Sequence, residues 1–285
     1  MARQLTLSSS FVESILKLTR FGNLVIIGFA QYFTAGFLVS KSTIYDLRLF
    51  LLSLSTVSIA AAGYIINDYY DVKIDYINKP DRVVIGRSIA RRYAILLHVA
   101  LSGLGILIGA FLSWQLAAIN ICAVFLLWLY SNLLKRLPFV GNLSVALLTG
   151  SSIFVVGVLY RSTTAVMVSY AAFAFFMTLV REIIKDMEDL RGDNSFGCKT
   201  LPIVLGIRKT KLIVYALIAI FLTAVVTLDL VIRALPFQFY LIFLFLPLLA
   251  MVGWLIRADM RRDFTQLSTF CKVIMLLGIL SMVFV

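Results

Sequence analysis

The chain has 285 residues, 61% of them hydrophobic and only 14% charged, with a mean hydropathy of +1.00. Soluble domains carry about a quarter charged residues, so this composition excludes one and describes a protein that resides in a bilayer. The formal net charge of +12 then reads as membrane topology and attraction to anionic headgroups, with no nucleic-acid partner.

From the N-terminus, Met1 to Ser10 is polar, and Phe11, Val12, Ile15 and Leu18 alternate with Glu13, Lys17 and Arg20. This predicts an interfacial segment over 1–20 that leads into the first span, without a cleavable signal. Apolar stretches of about 20 residues, enough to cross a bilayer as helices, follow at 21–40, 49–67, 93–112, 114–133, 141–160, 163–180, 212–232, 235–256 and 267–285. The expected fold is therefore an all-α membrane protein of nine transmembrane helices forming a single polytopic domain over 1–285. The stretch 93–133 is divided in two because Ser113-Trp114-Gln115 interrupts it. With the N-terminus cytoplasmic, 22 of the 26 Lys and Arg fall inside and only Lys41, Arg48, Arg161 and Arg233 outside. The positive-inside rule selects that orientation, with the C-terminus external. The segments 67–92 and 181–211 become cytoplasmic loops of a multi-pass protein of the cell's inner (cytoplasmic) membrane, its site facing the cytoplasm.

Seven of the chain's 14 acidic residues lie in two runs, Asn67 to Asp75 and Lys185 to Asp193, each containing D-x-x-D-x-x-x-D. On one α-helix, offsets of 0, 3 and 7 put Asp68, Asp71 and Asp75, and likewise Asp186, Asp189 and Asp193, within an arc of roughly 60°. Carboxylates so crowded repel unless a cation sits among them, and acids are costly in a membrane. The runs stand 118 residues apart, Asp68 to Asp186, at the ends of the second and sixth spans. That spacing suggests two parallel four-helix halves plus a ninth helix around a central cavity, with the two clusters facing across it.

Facing carboxylate clusters suit Mg²⁺, which keeps part of its water and binds phosphate oxygens, so the natural ligand is a diphosphate. Lys79, Arg82, Arg87, Lys135, Arg181, Lys185, Arg191 and Lys199 surround them and can neutralise phosphate. Apolar helices below offer room for a lipid tail and a dry place for a carbocation. Cys122, Cys198 and Cys271 have no C-x-x-C spacing and imply neither disulfide nor zinc. His98 reads as helix packing, as do Gly105 and Gly109 in G-x-x-x-G spacing.

The run Asn67 to Asp75 resembles the N-D-x-x-D-x-x-x-D motif of the UbiA superfamily of intramembrane prenyltransferases, and Asp186, Asp189 and Asp193 resemble its second motif. Asn78-Lys79-Pro80-Asp81-Arg82, Tyr130 to Lys135, Gly141-Asn142 and Gly197 to Pro202 agree as well. The resemblance implies Mg²⁺-dependent transfer of an isoprenoid from a polyprenyl diphosphate. It gives metal and catalytic roles to Asp68, Asp71, Asp75, Asp186, Asp189 and Asp193. Substrate-binding roles fall to Asn67, Arg82, Tyr130, Lys135, Asn142, Lys185 and Lys199.

Arg181 to Asp189 with Gly192-Asp193 looks like the R-E-I-x-K-D-x-E-D-x-x-G-D of the digeranylgeranylglyceryl phosphate synthase branch. That branch implies a geranylgeranyl diphosphate donor and a glyceryl phosphate ether acceptor. The alternative is an aromatic acceptor, as in quinone, heme or chlorophyll synthesis, which usually accompanies R-P-x-x-S-G where this chain has Arg82-Val83-Val84-Ile85-Gly86. A divalent-cation channel or carrier is the non-enzyme alternative, though such proteins place their carboxylates near the midplane.

Overall fold

The computed structural model describes residues 11–232 and 241–285. Among these residues there is no strand. Helix α1 covers residues 11–18, then α2 (Phe21–Leu38), α3 (Leu47–Asn78), α4 (Arg91–Leu112), α5 (Trp114–Asn132), α6 (Val140–Tyr160), α7 (Ala165–Glu188), the short α8 (Leu190–Ser195) and α9 (Leu201–Leu205), α10 (Ile207–Ile232), α11 (Leu246–Arg257) and α12 (Arg261–Ser281). Eight helices among the described residues are long and apolar enough to cross a bilayer. The expected span 235–256 begins outside the described residues, as does Arg233, and continues as the shorter apolar helix Ile242–Arg257. The expected count of nine is thus not reached within the described residues. Residues 1–10 of the expected interfacial segment also lie outside them. In α1, Phe11, Val12 and Leu16 are exposed while Ser14 and Leu18 are buried.

The helices overrun the apolar stretches that announce them. Helix α3 has 32 residues, about 48 Å at 1.5 Å per residue, against roughly 30 Å of hydrocarbon. Hydropathy marks where lipid ends. Backbone hydrogen bonding carries the helix on through the polar run to Asn78. Ser113 divides α4 from α5 as expected: its backbone is extended, and its hydroxyl accepts from the Leu116 N–H at 3.2 Å.

The described residues form two compact units, one drawn from Met1–Phe29 and Phe50–Leu134, the other from Ala30–Leu49 and Lys135–Val285. In the first, α4 and α5 pack closely around small residues. Asn120 Nδ2 donates to the Gly105 carbonyl and to Ser55 Oγ, both at 2.9 Å, and Ser55 Oγ donates to the same carbonyl at 2.7 Å. A Cβ at Gly105 would press into Ile59 and stand 3.0 Å from the Ser55 carbonyl oxygen. The G-x-x-x-G spacing serves helix approach. His98 Nδ1 lies 3.0 Å from the Ala62 carbonyl oxygen, a packing contact.

In the second unit α7 is central, against α6, α10 and α12. Met177, Val180, Ile183, Ile184 and Met187 face Val214, Leu248, Met251, Phe264 and Cys271 in one buried cluster. This apolar face fixes the rotation of α7 and so the direction in which its acidic end points. Tyr160 Oη donates to Asp46 Oδ2 at 3.0 Å at the other end of the unit.

Candidate functional site

In the first unit the acidic run rides on α3. The helix is unbroken from Leu47 to Asn78, so Asp68, Asp71 and Asp75 share one face as the spacing predicts, and Asp68 and Asp71 act on Asp75 as like charges. Arg20 Nη2 donates to Asp68 Oδ1 at 2.8 Å, and the Asn67 side chain reaches the same carboxylate. Asn67 Oδ1 itself is buried and has no hydrogen-bond partner. The Arg20 guanidinium also lies 4.9 Å from the Tyr64 ring centroid, a cation–π distance. Desolvation works against the Arg20 charge, yet Asp68, Tyr64 and Asp75 outweigh it and raise the pKa above the ordinary arginine value.

The loop after α3 is held by its own residues. Arg82 ends the exposed turn Pro80–Arg82. Arg87 Nη1 donates to the Pro80 carbonyl at 2.9 Å and its guanidinium lies 5.0 Å from the Tyr76 ring, while Arg91 lies 5.4 Å from the Tyr69 ring. Val84, Ile85 and Ile89 pack with Leu18, Ile65 and Ala94 in a buried cluster, with Gly86 turning the chain at φ +88°. The segment Val83-Val84-Ile85-Gly86 is therefore a hydrophobic plug under the first run. Tyr130, half-buried near the end of α5, belongs to this unit.

In the second unit Asp186 lies on the last turns of α7 and accepts from Asn142 Nδ2 at 2.8 Å, across from the first turn of α6. The second run departs from the one-helix expectation. Asp189 takes φ −94°, ψ 8° and ends α7, after which Leu190–Ser195 forms the separate short helix α8 carrying Asp193. Asp is a weak helix former and Gly192 a poor one, so the helix breaks there without a side-chain cap. Asp193 still acts on Asp186 as a like charge, and its carbonyl accepts the Cys198 N–H at 3.0 Å. Lys199 is exposed, its N–H bound to the Arg136 carbonyl at 2.8 Å, which ties the segment after the run to the turn holding the half-buried Lys135. Buried Glu182 bridges Arg181 Nη1 and Lys185 Nζ, the latter at 3.3 Å. Lys185 thus reaches the site with Glu182 as an ion-pair partner.

Two residues escaped the sequence reading. Arg20 is 48 residues from Asp68 and precedes the first span, where positive charge is expected for topology alone. Glu182 stood in the matched stretch Arg181 to Asp189, but nothing in the sequence gave it a role.

Among the described residues, no three His, Cys, Asp or Glu side chains gather into a group that would hold a metal by themselves. The donors present are carboxylate and amide oxygens, flanked by arginines and lysines. Helices of membrane length carrying such oxygen-rich, cation-flanked runs at their ends define an intramembrane enzyme. The UbiA prenyltransferase family matches residues 29–277, and the chain belongs to that family: it is a membrane-embedded prenyltransferase. Its sequence is 35% identical over 279 residues to digeranylgeranylglyceryl phosphate synthase of Saccharolobus solfataricus, covering 95% of each chain. It is 38% identical over 205 residues to the enzyme of that name from Natronomonas pharaonis, covering 70% of this chain and 71% of the other. A solved structure of digeranylgeranylglyceryl phosphate synthase superposes with TM-score 0.70 at 25% identity, covering 96% of this chain and 98% of that one. A UbiA homologue from Archaeoglobus fulgidus, solved with GPP and Mg²⁺, shares the fold at TM-score 0.66 and 18% identity, covering 95% and 100%.

Proposed function

We propose that this chain transfers a geranylgeranyl group from geranylgeranyl diphosphate to the free hydroxyl of geranylgeranylglyceryl phosphate, releasing diphosphate, with Mg²⁺. The observation that carries the reading is the likeness to digeranylgeranylglyceryl phosphate synthases along nearly the whole chain, 35% over 279 residues, with both acidic runs inside the matched span.

The residues fit Mg²⁺. Their donors are hard oxygens, and the buried Asn67 Oδ1 has no hydrogen-bond partner. The lack of a ready three-acid group among the described residues suits an ion that takes one or two carboxylates and completes its shell with water and phosphate. One or two carboxylates from among Asp68, Asp71 and Asp75, or from among Asp186, Asp189 and Asp193, would hold each ion; when bound it would neutralise the departing diphosphate. The chain's own groups do the rest. Asn142 holds the Asp186 carboxylate in place. Arg82, Lys135 and Lys199 meet phosphate oxygens, with Asn67 and Tyr130 as polar contacts and Lys185 acting through its tie to Glu182. The donor C1–oxygen bond breaks, the acceptor hydroxyl oxygen bonds to C1, and the hydroxyl proton is lost. Apolar helix faces exclude water from the allylic cation in between. The test is transfer by purified protein from geranylgeranyl diphosphate, with geranylgeranylglyceryl phosphate and an aromatic acid offered side by side; only the glyceryl phosphate should be prenylated.

Orientation belongs to the same proposal. With 22 of 26 basic residues assigned inside, the N-terminus and both acidic runs face the cytoplasm in the inner membrane, and segment 1–20 lies at the interface. Reporters fused at Lys79 or Arg208 should read cytoplasmic and one after Val285 external. A cytoplasmic reading after Val285 would leave an even number of crossings and overturn the nine-span topology.

A further inference from the structure

We infer that Arg20 is a positioning residue for the donor: its guanidinium holds the Asp68 carboxylate in the orientation that binds the metal-bound diphosphate. This rests on the diphosphate reading of the first acidic run. The ion pair is short, 2.8 Å from Arg20 Nη2 to Asp68 Oδ1, and the Asp68 side chain is only 17% exposed. Arg20 is braced by its neighbours. Its guanidinium stacks on Tyr64, one helical turn before Asp68 on α3. The Tyr64 hydroxyl in turn accepts from Asn23 Nδ2 at 3.3 Å, and the Asn23 N–H is bound to the Arg20 carbonyl at 2.7 Å.

The backbone adds a separate observation. Arg20 stands between α1 and α2 at φ +51°, a left-handed conformation that disfavours a side chain and that glycine adopts freely, as Gly86 does at φ +88°. A turn needed only to join two helices is better served by glycine. Arginine here costs backbone strain and delivers a planar, two-sided donor to one carboxylate. The ion pair fixes the direction of the Asp68 carboxylate.

The test is binding of geranylgeranyl S-thiolodiphosphate, a donor analogue that does not turn over, by titration calorimetry in detergent with Mg²⁺ present. Arg20→Gln should weaken binding about tenfold, the scale of one hydrogen bond to a charged group, and Arg20→Lys, which keeps the charge but loses the planar fork stacked on Tyr64, should fall between Arg20→Gln and wild type. In the Asp68→Asn background, Arg20→Gln should change affinity less than about twofold, because the two residues act as one unit. The double variant Arg20→Gln/Asp68→Asn is neutral at both ends and keeps the comparison valid should Arg20→Gln alone fold poorly. Equal losses from Arg20→Gln in both backgrounds, or none in either, overturn the inference. Wild-type affinity in Asp68→Asn alone overturns the diphosphate reading of the run, and the inference with it.

Discussion

Replacing Asp68 or Asp189 with alanine should reduce geranylgeranyl transfer by about a thousandfold or more, and EDTA should do the same to the wild-type protein. Each run concentrates like charge: Asp68 and Asp71 press on Asp75, and Asp193 on Asp186. Acidic residues are expensive near a membrane, and like charges packed this closely repel, so removing one should spare insertion and folding. Asp189 sits at the junction of α7 and α8, where alanine is well tolerated by helix geometry. Gel filtration in detergent and thermal unfolding should therefore match wild type while initial rates collapse. Asp68→Ala strips Arg20 of its partner, so Asp68→Asn is the cleaner comparison for stability. Variants that keep most of their activity, or a wild-type rate unmoved by EDTA, would remove the metal from the account.

Asn142 should matter nearly as much. Its Nδ2 donates to Asp186 Oδ2 at 2.8 Å, and it is buried, 7% exposed, in the first turn of α6. Asn142→Leu removes a donor to a charged group, worth about 1.5–3 kcal/mol. If that interaction serves the transition state, kcat/KM falls roughly 10- to 100-fold. Asn142→Asp keeps the shape and sets a carboxylate against Asp186, so it should lose more than Asn142→Leu and demand more Mg²⁺ for half-maximal rate. Steady-state kinetics at several Mg²⁺ concentrations check both. Equal rates for wild type and Asn142→Leu would reduce the contact to a packing hydrogen bond.

Much of the architecture was legible because bilayer physics writes strongly into composition. The Ser113 break between α4 and α5 could be read from three residues, and the face of the first run from the spacing of Asp68, Asp71 and Asp75. What escaped has physical causes. Hydropathy reports lipid contact, so it stopped the second span at residue 67, whereas the helix runs to Asn78, an extension that only the spacing of the aspartates had marked. The junction at Asp189 depends on local backbone geometry and broke a run whose spacing alone looked continuous. Val83-Val84-Ile85-Gly86 registered only as a departure from an aromatic-acceptor pattern, and its role as a plug with Leu18 and Ile65 required tertiary structure. In sequence, Arg87 and Arg91 show only as basic residues of the loop after the first run. In the structure they stack on Tyr76 and Tyr69, while Lys199 and Arg208 are exposed.

The acceptor decides the central claim. Purified protein in liposomes with Mg²⁺ and geranylgeranyl diphosphate, given equal amounts of geranylgeranylglyceryl phosphate and 4-hydroxybenzoate, is followed by mass spectrometry of the lipid extract and by released diphosphate. The account predicts a di-geranylgeranyl ether of glyceryl phosphate forming in step with diphosphate, no prenylated aromatic acid, and a Lys199→Ala variant whose KM rises more for the acceptor than for the donor. Prenylated 4-hydroxybenzoate without the ether product would contradict it.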